Sequence, residues 1–174
     1  ACRLLSRELP TEHSVCYSTG MVSGQPRPAD DAPSAAVSPV PSAQAMMARD
    51  EASRSLGIEL VDHAEGRAVT RMTVRPGMLN GHAVAHGGLI FALADTAFAC
   101  ACNSFGPVTV AAAAEIVFVA PARAGDVLTA EAVVRTRFGR AGLYDVTVRR
   151  GGDVIAEFRG RSHEVARPRA GSAE

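Results

Sequence analysis

The chain has no lysine and no tryptophan, four cysteines, and only two tyrosines and six phenylalanines in 174 residues. Every cation is therefore an arginine, and the 18 of them are balanced by 18 acidic residues. With no surplus of positive charge, the sequence shows no electrostatic footprint for nucleic acid or for an anionic membrane surface. Arginine-only usage, with abundant alanine and glycine, reads as a GC-rich coding sequence rather than as chemistry. The cysteines are too sparse and too ill-spaced for a disulfide framework or a zinc site. Cys2 and Cys16 stand in an irregular stretch, Cys100 and Cys102 would point different ways on a helix, and no C-x-x-C pair occurs. A reducing, cytoplasmic setting is expected, and no basic-then-apolar leader pattern is read. Nor is there a comfortable membrane span: the apolar run from Gly87 to Cys102 is short for one and holds Asp95 near its centre.

What is present is an ordinary globular composition, 47% hydrophobic and 21% charged, at a length that suits one domain. Pro10, Pro26, Pro28, Pro33, Pro39 and Pro41 crowd the start, and residues 24–42 show no apolar periodicity. Residues 1–43 are therefore expected to be disordered or loosely attached, 44–165 to form the domain, and 166–174 to be a flexible tail. A short helix is predicted over Gln44–Leu56, ended by Gly57. Strands follow at Ile58–His63 and Ala68–Val74 around a Glu65-Gly66 turn, and Pro76-Gly77 breaks the second. A loop from Met78 to Ala85 leads into a long helix that starts near His86-Gly87. The rest reads as strand: Val108–Val119, Val127–Arg137, Leu143–Arg149 and Val154–Glu164, with Gly151-Gly152 as a hairpin turn. A hairpin, a buried helix and an antiparallel meander make an α+β domain.

The long helix carries the chemistry. From His86 to Phe105 the only ionisable side chain of acid or base type after the histidine is Asp95. Ile90, Leu93, Ala94, Ala97, Phe98 and Ala101 fit a core stripe. Asp95 falls off it, on the line Phe91, Asp95, Phe98, Cys102, which faces a second apolar surface that a partner subunit would cover. An unpaired carboxylate there is costly, so a partner, a shifted pKa or a function is expected. At the helix start His86-Gly87-Gly88 offers free amides and the positive end of the dipole, suited to an anion or a polarised carbonyl. Gly87 and Asp95 lie about 12 Å apart along a helix. They cannot both reach one carbon within one chain, but two antiparallel helices would bring Gly87 of one copy to Asp95 of another. His82 and His86 have i,i+4 spacing, yet they sit in a loop without an acidic companion, and no metal is expected.

The stretch MLNGHAVAHGGLIFALADTAFACACNS (Met78–Ser104), with FVAPARAGDVLTAEA (Phe118–Ala132) and YDVTV with AEFRGRSH further on, resembles the PaaI-type hotdog-fold thioesterases over roughly residues 44–165. The resemblance implies a hotdog fold, a long helix wrapped by an antiparallel sheet, in dimers joined edge to edge and forming a homotetramer. It implies hydrolysis of acyl-CoA thioesters with no metal and no cofactor. The family's catalytic aspartate matches Asp95, its asparagine Asn80, its histidine His86, and its oxyanion-binding glycine amide Gly87, with the aspartate supplied by the other subunit. Relatives often carry a hydroxyl on the strand after the helix; here that stretch is Ala111–Ala114, and the nearest hydroxyl is Thr109. Ala85 stands where related sequences often show cysteine.

Further substrate contacts are expected from Gly88, Phe91, Thr96, Phe98 and Thr109. Arg123, Arg137, Arg140 and Arg159, with Arg161, are the candidates for the CoA phosphates. A ring-hydroxylated phenylacetyl-CoA, another aryl-acyl or a medium-chain acyl-CoA is the expected substrate, in phenylacetate degradation. The alternative is a non-catalytic acyl-CoA-binding or sensor protein of the same fold, which would bind CoA without releasing thiol. A hotdog dehydratase is a weaker rival, because His86 belongs to the loop.

Overall fold

The computed structural model describes residues 43–165; the expectations for residues 1–42 and 166–174 lie outside them. The first helical region is two pieces rather than one, α1 (Ala43–Met47) and α2 (Glu51–Leu56). The break comes at Asp50, whose Oδ1 accepts the Ser53 amide at 2.9 Å and so starts a new helix. Ala43, expected outside the domain, is buried. The remaining elements are β1 (Glu59–Ala64), β2 (Arg67–Thr73), α3 (Gly87–Cys102), β3 (Thr109–Phe118), β4 (Val127–Phe138), β5 (Ala141–Arg150) and β6 (Asp153–Glu164). The last five fall within a few residues of the expected boundaries.

The strands form one antiparallel sheet in the order β1-β2-β4-β5-β6-β3. This corrects the expected meander. β1 and β2 form one hairpin, and β4, β5 and β6 are joined by two more; β2 pairs with β4, and β3 lies at the far edge against β6. The displacement begins at the end of α3. Asn103 caps the helix, and its side-chain amide donates to the Ala99 carbonyl at 2.9 Å and the Thr109 carbonyl at 2.8 Å. Its Oδ1 accepts the Thr109 amide at 3.0 Å. Both backbone groups of the first β3 residue are thus fixed to the helix end, and β3 leaves along the side of the sheet opposite β2.

Alternation along the strands turns Ala68, Thr70 and Met72, Leu128, Ala130 and Ala132, and Tyr144, Val146 and Val148 inward, all essentially buried. They enclose the buried side of α3, which presents Ile90, Leu93, Ala94, Ala97, Phe98 and Ala101. Phe98 sits edge-on to Tyr144 with ring centroids 5.3 Å apart, and the Thr70 hydroxyl donates to the Leu93 carbonyl. Gly87–Phe105 is apolar enough, by composition and length, to cross a membrane. Here its apolar side is spent on the sheet. The outer sheet face is polar, with Arg67 paired to Asp62 and Glu131, and Asp145 to Arg135 and Arg159. Exposed pairs of this type add little to stability.

Replacing Asn103 by alanine leaves three backbone bonds without their side-chain partner. It is expected to lower unfolding stability by about 1–3 kcal/mol, read as a shift of the urea midpoint with the slope unchanged.

Candidate active site

The loop before α3 is tied down at both ends. The His86 amide donates to the Met78 carbonyl at 2.9 Å and the Ala85 amide to the Ala122 carbonyl at 2.8 Å, while Leu79 and Ala85 form an isolated bridge. Inside it the chain folds around Asn80. The Asn80 amide donates to the Val84 carbonyl, and its Oδ1 accepts the His82 amide at 2.9 Å. The turn closes through Ala83 at φ 56°, a left-handed conformation that an alanine adopts only under outside constraint.

At the start of a helix four amides lack partners within it. Three of them find partners around His86, the N-cap: its own amide donates to the Met78 carbonyl, its Nδ1 accepts the Gly88 amide at 3.0 Å, and its carbonyl accepts that of Leu89. Because Nδ1 accepts, the neutral ring carries its proton on Nε2, which is left as a donor. The Gly87 amide has no hydrogen bond among the described residues. It opens on a pocket of about 350 Å3 lined by Asn80, Val84, Gly87, Ile90, Phe118 and Pro121 among others. A free amide at the positive end of a 16-residue helix, beside an apolar cavity, is a place for an oxygen that becomes negative. A Cβ on residue 87 would stand 2.9 Å from the Phe118 ring, so any side chain there has to push the ring aside.

Asp95 is half-buried, in no hydrogen bond or ion pair among the described residues, and burial pushes its carboxyl above the usual carboxylate range. It does not line the Gly87 pocket. The open face of α3 is not the line expected: Phe98 and Cys102 are buried, and the solvent side runs through Gly88, Ala92, Asp95 and Ala99, with Phe91 beside them. Phe91, half-buried, stacks edge-on to Phe158 at 5.2 Å and remains on this face.

Of the other expected contacts, several have different work. Gly88 gives its amide to His86. Phe98 is wholly in the core. Thr96 is buried, its hydroxyl donating to the Ala92 carbonyl and lying 3.0 Å from the Ser53 hydroxyl, so it docks α2. Thr109 bonds the Pro107 carbonyl at the C-terminal end of α3, a helix length from Gly87. Arg137 lies over the Phe105 ring, Arg140 holds the Glu164 carbonyl, and Arg159 grips Asp145 through two nitrogens. Arg123 is exposed two residues beyond the pocket residue Pro121, and its guanidinium makes no hydrogen bond among the described residues. Arg161 lies with Arg159 beside a different depression, on the outer sheet face. Phe118 was not singled out by sequence reasoning, although strand alternation places it on the same face as Ile116. Cys100 and Cys102 are buried, which pushes both thiols up to about 12 and leaves them un-ionised at neutral pH.

Residues 82–157 match the Thioesterase superfamily. The acyl-coenzyme A thioesterase PaaI of Escherichia coli (strain K12) is 47% identical over 132 residues, 75% of this chain and 94% of that protein. The chain belongs to the thioesterase superfamily. Its fold is the hotdog fold: the E. coli PaaI structure superposes with a TM-score of 0.70 at 47% identity, covering 71% of this chain and 91% of that one. A mutant form of the phenylacetic acid degradation protein PaaI from Thermus thermophilus superposes at 0.63 with 36% identity, covering 65% and 97%. The family segment begins in the Asn80 loop and runs through α3 to β6, so it contains both Gly87 and Asp95.

Asp95 holds its proton more tightly folded than unfolded. The stability this gives is complete below the unfolded pKa and is lost as pH rises through the higher folded value. Asp95→Asn is therefore expected to raise the melting temperature at pH 7, with the gain vanishing toward pH 3, measured by calorimetry across that range.

Proposed function

We propose that the protein hydrolyses acyl-CoA thioesters to a free acid and CoA at a site shared between two copies of the chain. The observation that carries this reading is the unpaired Gly87 amide facing an apolar pocket with Asn80. The thioester carbonyl oxygen takes the Gly87 amide, and the charge that builds on it is stabilised by the amide and the helix dipole. The acyl group lies in the apolar pocket. Asn80, which lines that pocket, and His86, one residue before Gly87, orient the carbonyl or a water.

Asp95 supplies the carboxylate from the partner subunit, because about 12 Å of helix separates it from Gly87 in its own chain. It removes a proton from water as the hydroxyl attacks the carbonyl carbon, and the thiolate leaves and is protonated to CoA-SH. The alternative is direct attack by the carboxylate to form an anhydride, which water then opens. Assembly is supported by β3, one of the two edge strands of the sheet, where Val110, Val117 and Phe118 are exposed, together with neighbouring Val108 and Val119. An apolar unpaired edge of this length invites a second strand. Pairing two such edges gives the dimer, and two dimers the homotetramer. A cytoplasmic location fits the two reduced, buried cysteines.

Arylacetyl thioesters are the proposed substrate class, following the phenylacetate-degradation context of the E. coli relative. Arg123 is the arginine best placed for CoA phosphate, standing two residues from the pocket residue Pro121 with a guanidinium that makes no hydrogen bond among the described residues.

Phenylacetyl-CoA, a hydroxyphenylacetyl-CoA and hexanoyl-CoA, assayed with a thiol-trapping dye, test the activity. Release of CoA from at least one is expected, and Asp95→Asn should lower kcat by about 10²–10⁴-fold. Tight CoA binding with no thiol release from any ester would instead favour the acyl-CoA-binding protein. The shared site has its own test. Co-expressing Asp95→Asn with Asn80→Ala should recover activity above either alone, since mixed dimers hold one intact site. Labelled water in a single turnover separates the two chemistries, because only the anhydride route leaves label in Asp95.

A further inference from the structure

Phe118 is the last residue of the edge strand β3, opposite Ala156 of β6. It is 51% exposed, a large aromatic that neither the core nor another ring takes up. Strand alternation puts it on the helix side of the sheet, with Ile116. Its ring reaches across to α3: Cζ, Cε2 and Cε1 stand 2.9, 3.2 and 3.3 Å from where a Cβ of residue 87 would be. The far edge of the ring is thus against the glycine whose amide is unpaired. Phe118 is also the one aromatic among the residues lining the Gly87 pocket, whose other apolar walls are aliphatic. A carbonyl oxygen on the Gly87 amide places the atoms of its acyl group within van der Waals reach of this ring.

We propose that Phe118 is the specificity-determining residue of the acyl pocket. The ring, held between the strand end and the helix start, packs against the aryl group of an arylacyl thioester. It also limits how far a long aliphatic chain can extend, since about 350 Å3 is near the lower end for a ligand pocket. This rests on the thioesterase reading above. A ring-on-ring contact of this kind is worth about 2- to 10-fold in preference beyond the area it buries.

The test compares kcat/KM for phenylacetyl-CoA and octanoyl-CoA in the full-length wild type, Phe118→Leu and Phe118→Ala. Phe118→Leu keeps an apolar side chain at the strand end, guarding against loss of assembly. The expected result is a fall of about 10-fold in the ratio of kcat/KM for phenylacetyl-CoA to that for octanoyl-CoA in Phe118→Ala, with Phe118→Leu between. Gly87→Ala should damage both reactions by displacing the ring, and adding Phe118→Ala should restore octanoyl-CoA hydrolysis relative to Gly87→Ala alone. An unchanged ratio of the two esters in an active enzyme, or equal losses on both, overturns the inference and leaves the hydrolase reading standing. A wild type silent on both esters removes the hydrolase reading and this inference with it.

Discussion

Everything in this molecule is arranged around a sixteen-residue helix with almost no polar side of its own. Such a helix is stable in water only if most of its surface is covered. The sheet covers one side with the inward residues of β2, β4 and β5, and Phe98 is the centre of that contact, meeting both Tyr144 and Phe158. The short helix α2 adds a polar clamp through Ser53 and Thr96. What stays uncovered is one narrow stripe of small residues interrupted by Asp95. A carboxylate on that stripe, without an ion pair among the described residues and with its pKa raised by burial, is a poor structural element and a useful base.

The two ends of the helix are managed differently, and this difference makes the site. At the C-terminal end Asn103 uses its whole amide group to satisfy backbone partners, including both polar groups of Thr109. At the N-terminal end the orphan amides of Gly88 and Leu89 go to His86 and that of His86 to the Met78 carbonyl, and the fourth is left. The remaining donor, on Gly87, is held in place by the loop around Asn80 and by the Phe118 ring against its Cα. Preorganised donors of this type act without rearranging as charge develops, which is where much of their catalytic value lies. The strained Ala83 turn is consistent with a loop fixed by its surroundings rather than by its own preference.

Much of the candidate site was legible in the residues. Glycine at 87, histidine before it and a lone aspartate eight residues on are local patterns, and helical rise was enough to separate them by about 12 Å. The substrate contacts were less legible. Phe98 looked available because the helix was assigned an open face rotated away from the real one, and Thr96 because its contact with Ser53 joins residues far apart in the chain. The arginines were equally ambiguous: a guanidinium on a strand says nothing about whether an aspartate such as Asp145 already occupies it. Phe118 went unremarked because its importance arises from a contact with Gly87, far back along the chain.

Strand and helix identities depend on short-range periodicity, so the chain order of apolar and polar residues was sufficient to place α3, β4, β5 and β6 and the turns between the last three. The same holds for the α+β class; of the candidate site residues, Asn80 and Gly87 line one pocket, while His86 caps the helix beside it and Asp95 stands outside it in its own chain. Strand adjacency is a different matter, because pairing joins residues far apart and periodicity is silent about which edges meet. That β3 crosses to β6 instead of opening a meander follows from the Asn103 clamp and the space left by the helix. This single placement exposes an apolar edge, swings Phe118 over Gly87 and sets the open stripe of α3 that carries Asp95.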